Sequence, residues 1–383
     1  MYLFLVLNIL FSCNLSSKPF DKTIDLSKEN IVISDKIENQ LWCTNKDIMY
    51  WKELFDQRWR EERPVALKLS LSKGMNQEYY FLSYYIDGLV SIWQATEDNK
   101  YLDEVLLLIN NTLADVKAFK TGVFVGYEGW PTNNKYNWGH ALWDSYYWRN
   151  VVTLMRVMHE WEDEITKVKY KEDFDTLLKF TKKNIWDRYN TNQKDFVYRV
   201  NTHMASHWAR IGMEMFLITG ENKYKTIFNN ISFGTMIGKP AKANIRNQFF
   251  KNLKQANGIA WYMDFDNSNG VIQDTEHAGA VVSFIINAYE NGMYWTENDI
   301  TALLYTAKNV VWTEDQVDDR IWSTEFVDGS GKIVSHRFKN EWMKLGRFDR
   351  DFQDKIKRHA VNYKYYGSQL AGIGALNEKI LAR

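Results

Sequence analysis

The sequence predicts an all-α fold, an (α/α)n toroid of roughly five to seven helix pairs with small β-hairpin loops at a cleft. From Gln77 onward, helical segments come in pairs, the first rich in aromatic and small residues and the second more evenly amphipathic. An aromatic-rich, irregular stretch also runs straight into a helical pattern at Tyr127–His140, Tyr198–His207, Trp261–His277 and Trp322–His336, each time with His, Asn or acidic residues in the first turn. Pro is scarce, four in 383 residues, as a chain of uninterrupted helices requires. Short turns within a pair and long loops between pairs place the N-termini of the inner helices, and the functional face, on the long-loop side.

Residues 1–13 carry an apolar run, Leu3 to Phe11, too short to span a bilayer but suited to a signal-peptide core. It ends in Leu10-Phe11-Ser12-Cys13, which resembles the lipobox of bacterial lipoproteins. The expectation is an exported protein, lipid-anchored at Cys13 in the outer membrane or periplasm and touching the membrane only through that anchor. Cys43 is the only other cysteine, so a lipidated Cys13 leaves no intramolecular disulfide. Residues 14–45, polar and poorly periodic, read as a tether, and 46–383 as one catalytic domain.

The helix pairs follow in order. Glu78–Ala95 is followed by Tyr101–Lys117, and His140–Glu160 by Lys171–Ile185. Thr202–Thr219 precedes a broken stretch from Asn222 to Asn252, Thr275–Glu290 precedes Glu297–Trp312, and Lys364–Ile380 closes the chain. Thr296 and Glu297 read as an N-cap and first-turn acid. Two loops read as hairpins beside the cleft, Ile259–Asp266 turning through Asn267–Gly270, and Ile321–Val327 turning through Asp328–Gly331.

Composition narrows the partners. With 45% hydrophobic and 25% charged residues the chain can bury a substantial core. Formal charge is zero, so there is no basic field to gather nucleic acid. The 16 Trp and 22 Tyr exceed what a core needs, and some are expected to line a wet cleft for a ring-shaped polymer.

The candidate chemistry lies in four groups. His203 and His207 are four apart, on one face of a helix that Asn201 precedes. That spacing permits a metal, but the stretch lacks the Glu of the zinc-protease pattern, so no metal is assigned. Asp274-Thr275-Glu276-His277 opens another inner helix, with Asp274 or Thr275 as a cap and Glu276 as a dipole partner, which leaves His277 for chemistry. Trp130, Tyr136 and Trp138, with Asn137 and His140, offer stacking and polar contacts to pyranose rings, or alternatively a packed loop held by Trp. His336, Arg337, Lys339, Arg347 and Arg350 form a basic cluster suited to a substrate bearing carboxylates.

The paired helices, the Asn-x-His at Asn201–His203, a downstream Arg and the hairpin Tyr262 resemble the α/α-toroid polysaccharide lyases that act on alginate or glucuronan, including polysaccharide lyase family 38. The resemblance covers roughly Lys46 to the C-terminus. It implies β-elimination on an acidic polysaccharide without metal or organic cofactor: Asn201 and His203 or His207 as carboxylate neutraliser and base, and Tyr262 as acid. The developing charge of that reaction asks for donors at the carboxylate, a role for Asn201, His277 and Arg337. Two alternatives stand beside it. A glycoside hydrolase on the same scaffold would draw its two carboxylates from Glu128, Asp144, Asp264 and Glu276. A non-catalytic glycan-binding lipoprotein would use the aromatic platforms alone.

Overall fold

The computed structural model describes residues 26–73, 76–130, 140–190, 196–251, 257–265, 270–313, 322–334 and 340–383. Its contacts divide the chain into Met1–Cys43 and Thr44–Arg383, and the ring of helices described below belongs to the second unit. Cys13 and the apolar run before it lie outside the described residues, as do Tyr136, Asn137, Trp138, His336, Arg337 and Lys339.

Helix α1 spans Leu26–Ser70. Part of the expected tether is therefore helical: the run Ile31-Val32-Ile33 disguised the helical period. Further along α1, Trp51, Phe55 and Trp59 recur every four residues and are buried in the core, each such burial contributing about 1.5–3 kcal/mol. Then come α2 (Asn76–Thr96) and α3 (Asn99–Ala114), with Asp98 capping α3 by accepting from the Lys100 amide. A short hairpin follows, β1 (Lys117–Ala118) with β2 (Glu128–Gly129). Next are α4 (Ala141–Glu160), α5 (Glu164–Lys169) and α6 (Lys171–Phe180), the last running on as a π-helical turn Thr181–Asp187. Helix α7 (Thr202–Thr219) stops at Gly220, whose φ of 71° supplies the left-handed cap, and α8 (Asn222–Ser232) returns beside it.

After the short α9 (Ile245–Gln248), strands β3 (Phe249–Lys251) and β4 (Ile259–Trp261) pair antiparallel. Beyond β4, Tyr262 bridges Ile272, while most of the expected turn, residues 267–269, lies outside the described residues. Helix α10 (Thr275–Glu290) is followed by α11 (Glu297–Thr306), where Thr296 caps as expected, although the acid that answers its amide and hydroxyl is Asp299. The second expected hairpin appears as β5 (Ser323–Thr324) with β6 (Ile333–Val334). A 3-10 helix (Asn340–Phe348), α12 (Arg350–Ala360) and α13 (Gly367–Leu381) complete the chain.

Six inner elements close a ring. Helix α2 packs on α4, α4 on α7, α7 on α10, α10 on the 3-10 helix, that helix on α13, and α13 back on α2. Helices α1, α3, α6, α8, α11 and α12 alternate with them in sequence, so the architecture is an (α/α)6 toroid. The closing contact depends on small residues: a methyl at Gly372 would lie 2.3 Å from the Gly88 carbonyl oxygen, so nothing larger lets α13 and α2 meet. All six inner elements run the same way. The first turns of α2, α4, α7, α10 and the 3-10 helix gather around one pocket, and later turns of all six line another.

Candidate active site

The hairpin segments brace the first turns of the inner helices. The Thr202 amide donates to the Met263 carbonyl at 2.8 Å and its hydroxyl to that of Tyr262 at 2.9 Å, holding the start of α7. The Thr275 amide and hydroxyl bond the carbonyls of Glu325 and Thr324, and the Trp342 indole donates to the Thr275 carbonyl at 3.0 Å, holding α10 against the 3-10 helix. These ties use the backbone donors that a helix start leaves unpaired.

Inside that collar is a narrow pocket of about 30 Å³, room for a water or two, lined by Tyr80 and Tyr84 of α2, Tyr146 of α4, His203 and His207 of α7, Glu276 and His277 of α10, and Glu341. Glu341 is buried and ion-paired with Arg149, and it accepts from the Tyr146 hydroxyl at 3.2 Å. Tyr146 stacks on Tyr80 at 3.9 Å between ring centres, and the Arg149 guanidinium lies 3.8 Å over the Tyr146 ring. Burial and the Glu341 charge push the Tyr146 phenol well above its ordinary range, so it stays a proton donor. Glu276 is half-buried in the first turn of α10. His277 is exposed, with Nδ1 2.9 Å from both Asp274 carboxylate oxygens. Burial opposes ionisation of Asp274, but the bonds from His277 outweigh it and hold the carboxyl at about 2. Asp274 also caps α10 by accepting from the His277 amide at 3.0 Å, so the cap and the imidazole partner are one residue.

His203 and His207 lie on one face of α7 as expected, with ring centres 6.3 Å apart, and His203 meets His277 at 4.4 Å. Burial, reinforced by the charge of His277, pushes His203 down to about 3; burial and Arg149 push His207 well down too. Both are neutral imidazoles at pH 7 and weak bases, unlike a general base tuned near neutrality. A stability prediction follows from the sign of these shifts. The folded values lie below the ordinary histidine value of 6.5, so the unfolded chain takes up these protons first. Stability is complete above about pH 6.5 and falls as pH drops toward 3, by about 1.4 kcal/mol per unit for His203, with His207 acting in the same direction. Urea midpoints measured at pH 7, 5.5 and 4.5 should fall in that order, and less steeply in His203→Gln.

Other expected site residues lie elsewhere. Trp130 is fully buried, donates its indole N–H to the Thr112 carbonyl at 2.8 Å and packs against Tyr79, Tyr147 and Trp148, so it is a core residue and cannot stack on a sugar. Trp130→Ala should cost about 3–5 kcal/mol of stability in urea titration and leave glycan affinity unchanged. Asn201 is the N-cap residue of α7, its amide tied to Asp264 at 2.5 Å. Tyr262 packs on Phe250 with ring centres 4.8 Å apart. Neither lines the pocket. His140 is the N-cap residue of α4, stacked on Trp143 at 4.3 Å, with burial lowering its pKa. Of the basic cluster, the two described members lie away from this mouth: Arg347 is buried at the opposite end of the ring on Glu290 and Asn377, and Arg350 pairs with Glu378.

Among the hydrolase acids, Asp144 is fully buried against Arg188 and Tyr189, while the Glu128 amide bonds Asn184 in the β1–β2 hairpin; of the four, only Glu276 reaches the pocket. Glu341 was missed. Its segment reads as part of the basic cluster, and only the apolar spacing of Trp342, Met343 and Leu345 marked a buried helix there. Among the described residues no cluster of three or more His, Cys, Asp or Glu is placed to hold a metal ion.

No family model matches the chain, and no curated protein matches it. Solved structures do. The GH76 α-1,6-mannanase of Salegentibacter sp. HEL1_6 is 13% identical, over 87% of this chain and 100% of that one, with a TM-score of 0.47. Inactive variants of the same enzyme bound to α-1,6-mannotetrose and α-1,6-mannotriose match with TM-scores of 0.46 and 0.45 at the same identity. At 13% identity the likeness concerns the fold. It corrects the expected kinship with polysaccharide lyases, and with it the lyase class and the alginate or glucuronan substrate, because the toroids this chain resembles are glycoside hydrolases. The pocket points the same way: its lining has no Lys or Arg among the described residues to neutralise a uronate, and its buried histidines are poor bases.

Proposed function

We propose that the chain is a glycoside hydrolase acting on a polysaccharide whose sugars are uncharged at the point of cleavage. The observation that carries this reading is the delivery of two carboxylates, Glu276 from α10 and Glu341 from the 3-10 helix, to one pocket walled by Tyr80, Tyr84 and Tyr146. Glycoside hydrolysis asks for such a pair, one carboxylic acid to protonate the leaving oxygen and one carboxylate to activate water or to attack. In this reading Glu341, held by Arg149, takes the carboxylate role, and Glu276, nearer solvent, takes the acid role. His277, oriented by Asp274, stands beside Glu276 in the chain and helps return the proton. Tyr80, half-buried at the edge of the pocket, is the aromatic face offered to a pyranose ring.

Release of new reducing ends from a panel of neutral polysaccharides, α-1,6-mannan among them, tests the reading. Saccharification that disappears in Glu276→Gln and in Glu341→Gln supports it. Silence on every polymer, or turnover that survives both substitutions, overturns it. Export and anchoring through Cys13 belong to the same proposal; metabolic labelling with a radioactive fatty acid, lost in Cys13→Ser, checks them.

A further inference from the structure

The ring has a second opening. At the last turns of the inner helices lies an open cavity of about 840 Å³, whose floor includes Arg210 of α7, Lys344 of the 3-10 helix, Thr153 of α4 and Asn287 of α10. The acids around this floor are already engaged. Asp87 accepts from Lys344 Nζ at 2.6 Å, Glu290 accepts from Arg347 at 2.8 and 3.0 Å, and Glu214, beneath the floor, accepts from Arg156 Nε at 2.6 Å, Thr153 at 2.6 Å and Asn287 at 2.9 Å.

Arg210 is left with hydroxyls. Its Nε and Nη2 donate to Thr153 Oγ1 at 3.2 and 2.9 Å and its Nη1 to Ser283 Oγ at 3.2 Å, while its ion pair with Glu214 closes only to 4.0 Å. Arg210 is 1% exposed, so a buried guanidinium shares one carboxylate with Arg156 and has none of its own in hydrogen-bond contact. Such a charge is costly unless an anion answers it. Burial, with Arg149 adding to it, pushes Arg210 down to about 10, and burial pushes Lys344 down to about 8 against the opposing charge of Asp87. Unused donors remain: a guanidinium has five N–H bonds, of which three are committed here, and the Lys344 ammonium has three, of which Asp87 and Ser283 take two.

We propose that this cavity is a binding site for a small tetrahedral oxyanion of the phosphate or sulfate class, held by Arg210 and Lys344. It is separate from the pocket at the first turns of the helices and serves as an effector or structural site. The spare N–H groups of Arg210 and Lys344 supply charge-assisted bonds to the anion; at the rim Lys379 is paired with Glu97, and Glu160, Glu162 and Asp163 also line the wall, so the attraction is that of the floor.

The test titrates the full chain with sodium phosphate and with sodium sulfate at ionic strength held constant by chloride, read by calorimetry and by thermal melting. The expected result is saturable heat and a saturable rise in melting temperature with either oxyanion and none with chloride. Arg210→Gln should abolish both signals. Asn291→Asp, which places a carboxylate on the rim at the cost of the bond from the Asn291 amide to the Asn287 carbonyl, should weaken affinity several-fold, each variant being read against its own unliganded melting temperature, so the proposal remains testable even where Arg210→Gln fails to fold. A sugar phosphate run beside inorganic phosphate distinguishes the two sources: tighter binding of the ester marks a sugar-linked anion, equal binding a free one. No saturable response in the native chain, or an equal response in the native chain and in Asn291→Asp, overturns the proposal.

Discussion

Glu341→Gln is expected to lower kcat for glycan hydrolysis by about 10²–10⁴-fold, the range in which positioned carboxyl chemistry contributes, with a much smaller change in KM. The substitution keeps the shape of the side chain, and its amide oxygen can still accept from Tyr146 and Arg149, but it removes the counter-charge of the buried Arg149, so kcat is read per folded molecule with the urea midpoint measured alongside. It removes the negative charge that the oxocarbenium-like transition state needs. Glu276→Gln should cause a loss of similar order, but with rescue on substrates carrying a good leaving group, because only the proton donor becomes dispensable there. Rates on an activated aryl glycoside and on the natural polymer, measured for both variants, separate the roles. If Glu341→Gln retained more than about a tenth of native kcat, a loss far short of that range, Glu341 would be a structural partner of Arg149 and the proposed pair would fail.

Asp144→Ala is expected to produce the opposite signature, a loss of about 3–5 kcal/mol in stability with turnover per folded molecule unchanged. Asp144 and Arg188 are both fully buried and ion-paired, and the Tyr189 hydroxyl donates to the same carboxylate at 2.6 Å. Removing the acid strands a guanidinium that also donates to the Glu128 carbonyl at 3.1 Å. Replacing both partners at once, as in D144L/R188M, should recover part of the loss, since an apolar pair avoids the desolvation cost that a lone charge cannot. Urea denaturation of the single and double variants reads the difference. A catalytic collapse in Asp144→Ala at full stability would return Asp144 to the list of candidate acids.

These two acids show how far sequence reading reaches. Both sit in aromatic-rich segments ahead of or within inner elements, yet only Asp144, near the start of a helix beside Trp143, stands among the acids the sequence pattern offers. The structure reverses their standing. Asp144 faces the helix Arg188–Asn190 on the outer side of α4, while Glu341, in a segment read as a basic cluster, faces the ring's interior. The direction of a side chain around a helix, and what packs against it from far along the chain, is not written in local spacing. Trp130 illustrates the same limit, because a Trp in an irregular loop is equally suited to stack on a sugar or to fill the space between α4 and its outer partner.

What the sequence by itself determined is the toroid and the end of it at which the first turns of the inner helices gather. Paired amphipathic runs set the helices, Gly220 and Thr296 mark where they stop and start, and the clustering of His203, His207, Glu276 and His277 in first turns follows from all inner helices running the same way. Local hydrogen-bond and burial physics suffices for that, since a helix and its caps are decided within a few residues. Only the tertiary structure decided which titratable groups are ionised, neutral or already paired. Arg347, Asp144, His203 and Glu341 take their chemical character from partners 30 to 195 residues away and from exclusion of water. Those terms exist only once the ring has closed.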